Sequence, residues 1–323
     1  MLNSPLRSLR ARFAIVVASV VLVLSCIFGA AIGESSISRL EEWTGLQLGE
    51  AAFSMVDRLD RDMSGRSQEL AVLSELQALR NPENVGEARA LLNDLSDHFP
   101  SYSWIGLTNA SGKVVASTDG LLEGVDISAR PVFTNGLETT FIGDVHEAVL
   151  LAQLLPNLSG EAMKFVDISM PVRDAAGALV GVLATHLSWE WADEVGRSLF
   201  EPLQKRLPGL EFLVVSKDRT VLLGPREMIG KPIGIRLEDR PVQNWTVVHW
   251  PDGTQYLTGF AESLGFEDYP GLGWTVIARQ PVELAFAEAR QLRYEIFAWG
   301  ALLSLAFAAI GWFAAGMITR PLK

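Results

Sequence analysis

The sequence predicts an α+β fold in which a long N-terminal helix carries two antiparallel-sheet modules and is flanked by two transmembrane helices. Two charge-free apolar runs lie near the ends of the 323-residue chain. An amphipathic helical pattern follows the first run, and strand–turn–strand segments fill the rest of the interval. Antiparallel hairpins beside helices are typical of the α+β class rather than of a parallel α/β sheet.

The two apolar runs are long enough to cross a membrane. Residues 13–33 and residues 296–319 carry no formal charge, and a bilayer core needs a helix of about 20 apolar residues. Basic residues flank both outer ends, and Arg320 and Lys323 follow the second run. The positive-inside rule therefore predicts cytoplasmic termini and an external central region. A cleaved signal peptide is the alternative for the first run, and a buried soluble helix is the alternative for either.

Charge and motif content exclude several classes of function. The net charge is −11, and the basic ends carry +5, so residues 13–319 carry −16. Such a region repels phosphates, and no nucleic-acid partner is expected. The single cysteine, Cys26, cannot form an internal disulfide. No nucleophile elbow, zinc-protease motif, Walker loop or dinucleotide fingerprint occurs, so neither an enzyme nor a cofactor is predicted for this chain.

The central region divides into a helix and two sheet modules. Residues 34–80 are predicted to form one helix, because apolar side chains recur at three- and four-residue steps. This stripe comprises Leu48, Ala52, Met55, Leu59, Met63, Leu70 and Leu73. Hairpins with a glycine in or beside the turn are predicted over 103–118, 165–189 and 212–224. Residues 189–207 and 282–294 are predicted to be helical.

Five segments together resemble the double Cache sensor domains of bacterial transmembrane receptors. They are WIGLTNASGKVVAST, LLEGVDISARPVF, FIGDVHEA, FVDISMPVRDAAGALVGVLATHLSW and PGLGWTVIARQP. The match covers residues 34–293. The resemblance implies two PAS-like modules, a small-molecule ligand in the membrane-distal module, and a homodimer that pairs along the stripe of the long helix.

The C-terminal sequence ITRPLK resembles the start of a HAMP linker. This resemblance implies the sensing part of a longer receptor, whose output would be a histidine kinase, a diguanylate cyclase with a GGDEF motif, or a chemoreceptor.

The predicted boundaries are a cytoplasmic tail (1–12), a transmembrane helix (13–33), a stalk helix (34–84), the distal module with its connecting helix (85–207), the proximal module with its exit helix (208–293), a second transmembrane helix (294–319) and the HAMP start (320–323).

The resemblance suggests a ligand pocket between the distal sheet and a lid formed by residues 121–143. Arg130 is the first candidate, because a guanidinium can clamp a carboxylate with two hydrogen bonds. The alternative is a surface arginine paired with Asp126 or Glu123. The predicted ligand-binding residues are Arg130, Phe133, Trp104, Phe141, Asp144, His146, Asp167 and His186.

The sequence departs from the amino-acid-binding members of this family at three places. Val132 stands where a tryptophan is expected, Phe141 replaces a tyrosine, and His186 stands where the aspartate that binds the ligand's amine would lie. Without that countercharge, we expect an anionic or neutral organic ligand rather than an amino acid.

Two histidines leave further alternatives open. His146 and His186 could report acidification or bind a metal ion, but GDVHEA is not a strong metal-binding pattern and no metal site is predicted. Histidines that are hydrogen-bonded inside the domain are favoured. The alternative to a sensor is a protein-interaction module that binds a periplasmic partner; an exposed apolar patch instead of a polar-lined cavity would favour it. A constitutive membrane anchor is the third reading.

Overall fold

The computed structural model describes residues 9–81, 84–147, 151, 154–155, 163–235 and 244–318. The helices are α1 (Leu9–Ser74), α2 (Gln77–Arg80), α3 (Val85–His98), α4 (Pro131–Thr134), α5 (Glu190–Gln204), α6 (Val282–Ala285) and α7 (Ala287–Ile318). The strands are β1 (Tyr102–Thr108), β2 (Val114–Ser117), β3 (Phe141–Ile142), β4 (His146–Glu147), β5 (Lys164–Arg173), β6 (Leu179–Ser188), β7 (Glu211–Val215), β8 (Val221–Leu223), β9 (Trp245–His249), β10 (Gln255–Glu262) and β11 (Thr275–Pro281).

The strands form two antiparallel sheets, as the α+β prediction requires. The distal sheet has the order β2-β1-β6-β5-β3, and β4 also pairs with β5. The proximal sheet has the order β8-β7-β11-β10-β9. The turn between β5 and β6 shows why the chain reverses there. Asp174 Oδ1 accepts hydrogen bonds from the backbone N–H groups of Ala176 and Ala178 at 2.9 and 2.8 Å, and Gly177 takes a φ of +86° that favours glycine.

Helix α1 carries both modules on its apolar face. Leu48, Met55 and Leu59 are fully buried and share one core with residues from both sheets. Helix and sheet approach closely at Gly259 in β10, where an added Cβ would lie 2.3 Å from the Leu48 carbonyl carbon. Because this stripe is covered within one chain, it is not free to pair with a second copy, and the prediction that a dimer pairs along it is wrong.

The long helix ends at Ser74 rather than continuing to residue 80 as predicted. The Ser74 hydroxyl donates to the Ala71 carbonyl oxygen at 2.8 Å, and such a bond competes with the helical ladder. Leu76 then takes an extended conformation. The change of direction buries Leu79 completely and brings Arg80 Nε to the Arg173 carbonyl oxygen at 2.6 Å. Packing on the distal sheet therefore overrides the local helical pattern.

The apolar ends of α1 and α7 pack against each other. Within the described residues, one segment, Ala287–Ala314 of α7, is long and apolar enough to span a membrane. The apolar part of α1, Ile15–Ala31, is shorter, so the first crossing stays a prediction. The Ser304 hydroxyl of α7 donates to the Ala18 carbonyl oxygen of α1 at 2.8 Å. The predicted HAMP start, 320–323, lies outside the described residues.

Candidate functional site

Three neighbouring strands of the distal sheet bring Trp104, His186 and Asp167 into one row. Trp104 of β1 pairs with His186 of β6, and His186 pairs with Asp167 of β5. Side chains alternate between the two faces of a strand, so Val166 and Ile168 point to the opposite face and join the core with α1. The alternation along the strands therefore places core residues on the face that packs against α1 and places Trp104, His186 and Asp167 on the opposite face.

A cavity of about 370 Å³ lies over this row. A volume of this size can hold a small organic molecule. Its walls come from the sheet, from the lid formed by residues 121–143, and from the segment that contains β4. The lining residues are Trp104, Leu122, Ile127, Arg130, Pro131, Val132, Phe141, Gly143, Asp144, His146, Glu147, Leu151, Asp167 and His186.

The N-terminal end of the lid is tied to the sheet by directed contacts. Trp104 Nε1 donates to the Leu121 carbonyl oxygen at 3.0 Å. The Trp104 ring lies over Gly106, where an added Cβ would meet the indole at 2.2 Å. The glycine thus creates the space that the tryptophan fills, and the tryptophan fixes the lid.

A carboxylate in the lid is held by helix α3. Arg89 Nε donates to Glu123 Oε1 at 2.7 Å, and Arg89 Nη2 donates to the other carboxylate oxygen. The Ser117 N–H also donates to Glu123 Oε1, at 3.1 Å. These donors stabilise the ionised form, with Arg89 as the largest cause, so the pKa of Glu123 is lowered from its ordinary value.

Asp167 lies between two histidines. His186 Nδ1 is 2.5 Å from Asp167 Oδ1, and His146 Nε2 is 3.5 Å from Asp167 Oδ2. The second ring nitrogen of His146, Nδ1, lies 3.2 Å from the Asp144 carbonyl oxygen. Each of the three residues offers a ligand atom, and these atoms lie within 4.8 Å of one another. The three residues are therefore close enough to ligate one metal ion.

Arg130 lies in the cavity wall with its guanidinium unpaired among the described residues. It is the N-cap residue of α4, but its side chain makes no capping hydrogen bond. Arg130 is exposed, as the alternative from sequence requires, but the pairing with Asp126 or Glu123 that this alternative also predicts is absent from the described residues. Glu123 is paired with Arg89, and Asp126 Oδ1 accepts from the Ser128 N–H at 2.8 Å. Arg130 thus lines the cavity as an exposed side chain, and its guanidinium donors have no acceptor among the described residues.

Seven of the eight predicted site residues line this cavity. They are Trp104, Arg130, Phe141, Asp144, His146, Asp167 and His186. Phe133 does not; it is buried in the apolar layer between lid and sheet, because the first turn of α4 turns it inward and leaves Val132 at the wall. The sequence prediction also missed Glu147, although this residue follows His146 directly and both lie in strand β4.

Comparison with known proteins identifies similar folds but no matching sequence family. No family model and no curated protein matches the chain. Solved structures do match. The ligand-binding domain of the Pseudomonas aeruginosa amino-acid chemoreceptor PctC, solved with GABA, has a TM-score of 0.57 at 20% identity, over 73% of this chain and 99% of that one. The predicted double Cache fold is confirmed.

Two further structures share the double Cache fold of this chain. The ligand-binding domain of the Pseudomonas fluorescens chemoreceptor CtaA, solved with L-isoleucine, has a TM-score of 0.53 at 18% identity, over 78% of this chain and 96% of that one. The extracellular domain of a candidate histidine kinase has a TM-score of 0.53 at 15% identity, over 73% and 93%. At these identities the likeness extends to the fold and not to the ligand.

Proposed function

We propose that the chain is the extracytoplasmic ligand-sensing part of a bacterial transmembrane receptor and binds a small organic molecule in the distal cavity. The observation that carries the proposal is the Arg130 guanidinium, unpaired among the described residues, in the wall of a mostly apolar cavity with a few polar groups. A concave, mostly apolar site with a few convergent polar groups is typical of small-molecule recognition. The structures that share the fold are ligand-binding domains rather than enzymes, which supports a non-catalytic role.

The proposed ligand carries an anionic or neutral acceptor group that Arg130 binds. A carboxylate would satisfy the planar fork of the guanidinium. Asp167, the carboxylate on the sheet face of the cavity, already faces His146 and His186 and is less available to a ligand ammonium group. This occupation favours an organic acid over an α-amino acid, although PctC and CtaA were solved with amino-group ligands.

The two apolar helices are proposed to cross the bacterial inner membrane, with the sensor in the periplasm and both termini in the cytoplasm. Their contact uses small residues, which is typical of membrane helix pairs. At Gly300, an added Cβ would lie 2.5 Å from Ser25 Cβ. Ligand binding would then shift α7 relative to α1 and transmit the change to a HAMP linker, by as much as the ligand's affinities for the two states differ.

A homodimer remains part of the proposal, but through another face of α1. Trp43, Leu46 and Phe53 are each about half exposed and follow helical spacing on the side away from the buried stripe. An exposed apolar stripe of this kind can pair with the same stripe of a second copy. Because it lies on the helix that continues into the apolar segment, pairing there would also align the two membrane helices of the dimer.

A ligand screen on the full chain in detergent tests the sensor proposal. The melting temperature is measured with organic acids, amino acids, purines and polyamines, each once in EDTA and once with a divalent transition-metal ion present. A ligand that binds only the native state raises stability by RT ln(1 + [L]/Kd). We expect a carboxylic acid to raise the melting temperature. If no compound does so in a folded sample, the proposal fails and a protein partner becomes the better explanation.

A further inference from the structure

We propose that His146, Asp167 and His186 bind one divalent transition-metal ion of the zinc class in the distal cavity. This inference rests on the proposed function, because the metal ion and the organic ligand would occupy the same cavity. Two imidazole nitrogens and one carboxylate oxygen form a ligand set that suits Zn²⁺, Co²⁺ and Ni²⁺. Mg²⁺ and Ca²⁺ prefer oxygen ligands.

The distances fit a tetrahedral site after small side-chain adjustments. Metal–ligand bonds of about 2.0–2.1 Å put neighbouring ligand atoms about 3.4 Å apart. His146 Nε2 and Asp167 Oδ2 are 3.5 Å apart, and the ligand atoms of all three residues lie within 4.8 Å of one another. His186 Nδ1 and Asp167 Oδ1, which are hydrogen-bonded at 2.5 Å, would have to move apart for both residues to bind the same ion. Three protein ligands leave a fourth position for water or for an exogenous ligand.

Neighbouring groups orient the ligands as they do around metal-binding histidines. His146 Nδ1 lies 3.2 Å from the Asp144 carbonyl oxygen; a proton on Nδ1 leaves the Nε2 lone pair free for a metal. The His186 ring lies between Trp104 and Phe165, with ring centroids 5.5 and 5.8 Å away. These aromatic walls limit rotation of the imidazole and the access of water.

The charges around the cavity also favour a cation. The described lining residues include one guanidinium, that of Arg130, and three carboxyl groups, those of Asp144, Glu147 and Asp167. The carboxylates outnumber the one guanidinium, and a divalent ion would offset this excess of acidic side chains. The ion would also give an organic acid a second point of attachment. One carboxylate oxygen would occupy the open coordination position, and Arg130, in the wall of the same cavity, would be a donor for the other oxygen.

Zinc titration of the metal-stripped full chain in detergent tests the proposal by calorimetry. We expect one Zn²⁺ per chain, and Co²⁺ in its place should show the intense visible absorption of a tetrahedral site. His186→Gln and Asp167→Asn should each weaken zinc binding at least tenfold. His98→Gln and His249→Gln serve as matched controls and should change it less than twofold, because both residues are exposed and do not line the cavity.

If the folded wild-type chain binds no zinc, or if the two cavity variants bind it as tightly as the controls do, the proposal is overturned and the cluster is a hydrogen-bonded His–Asp–His chain. An organic acid that raises the melting temperature in EDTA while zinc does not bind would overturn the metal site and leave the sensor proposal standing.

Discussion

The Trp274 indole Nε1 donates a hydrogen bond to Asp144 Oδ1 at 2.7 Å, and this contact joins the two sheet modules. Asp144 lies between β3 and β4 in the wall of the distal cavity. Trp274 directly precedes β11 of the proximal sheet, is fully buried, and packs edge-on against Trp189 at 5.0 Å. A ligand that moves the β4 segment would therefore act on the proximal core through one hydrogen bond.

The Asp144–Trp274 contact predicts different outcomes for two substitutions at residue 144. Asp144→Ala should lower the free energy of unfolding by about 1–2 kcal/mol, because it removes the acceptor of a buried indole N–H. Asp144→Asn should keep most of the stability, because its amide oxygen can accept the same bond. Urea unfolding of the full chain in detergent, followed by tryptophan fluorescence, measures both. Equal losses in the two variants would mean that the charge matters rather than the hydrogen bond.

The Arg89–Glu123 pair predicts a pH-dependent contribution to stability. The pKa of Glu123 is lowered in the folded chain, chiefly by Arg89, so the contribution is complete above the ordinary glutamate pKa of 4.5 and is lost as the pH falls through the lowered pKa. Glu123→Gln should reduce the free energy of unfolding by about 1 kcal/mol at pH 7.

The same difference between Glu123→Gln and wild type should shrink towards zero on acidification, because the wild-type carboxyl is then neutral as well. Urea unfolding at pH 7 and at the lowest pH at which the chain stays folded gives both values. Glu194→Gln, on an exposed position of α5, is the control and should match wild type throughout. A difference that stays constant with pH would show that the pair does not act through ionisation.

The two faces of α1 predict opposite results for a buried and an exposed substitution. Met55→Asp puts a charge into a fully buried core position and should unfold the chain, since such changes cost more than about 4 kcal/mol. Phe53→Asp changes an exposed face and should leave the helix content unchanged while it converts the proposed dimer to a monomer. Circular dichroism and sedimentation in detergent separate these outcomes. A Phe53→Asp chain that keeps the wild-type mass would exclude this face as the interface.

Local sequence patterns predicted most of the fold because each is decided within a few residues. The glycine turns at Gly112 and Gly177 close hairpins between strands whose alternation is visible in the sequence. The same alternation placed Asp167 on one face of β5. The resemblance to double Cache domains added the order of the modules and the location of the lid. Seven of the eight site residues predicted on that basis line one cavity in the structure.

What the sequence left open depends on contacts between distant segments. Asp144 and Trp274 are 130 residues apart, and no local pattern connects them. The apolar stripe of α1 shows that Met55 is buried but not what covers it, and the sheets rather than a second copy do so. The inward direction of Phe133 likewise depends on how α4 lies on the distal sheet.

The affinity of the most stabilising organic acid for wild type and Arg130→Ala tests the central claim most directly. Titration calorimetry on the full chain in detergent measures both, with Arg197→Ala as a matched control, because Arg197 is exposed on α5 and pairs only with Asp193 among the described residues. Loss of a charge-assisted bidentate contact predicts an affinity at least tenfold lower for Arg130→Ala and an unchanged affinity for Arg197→Ala. Equal affinities of wild type and Arg130→Ala would contradict the account.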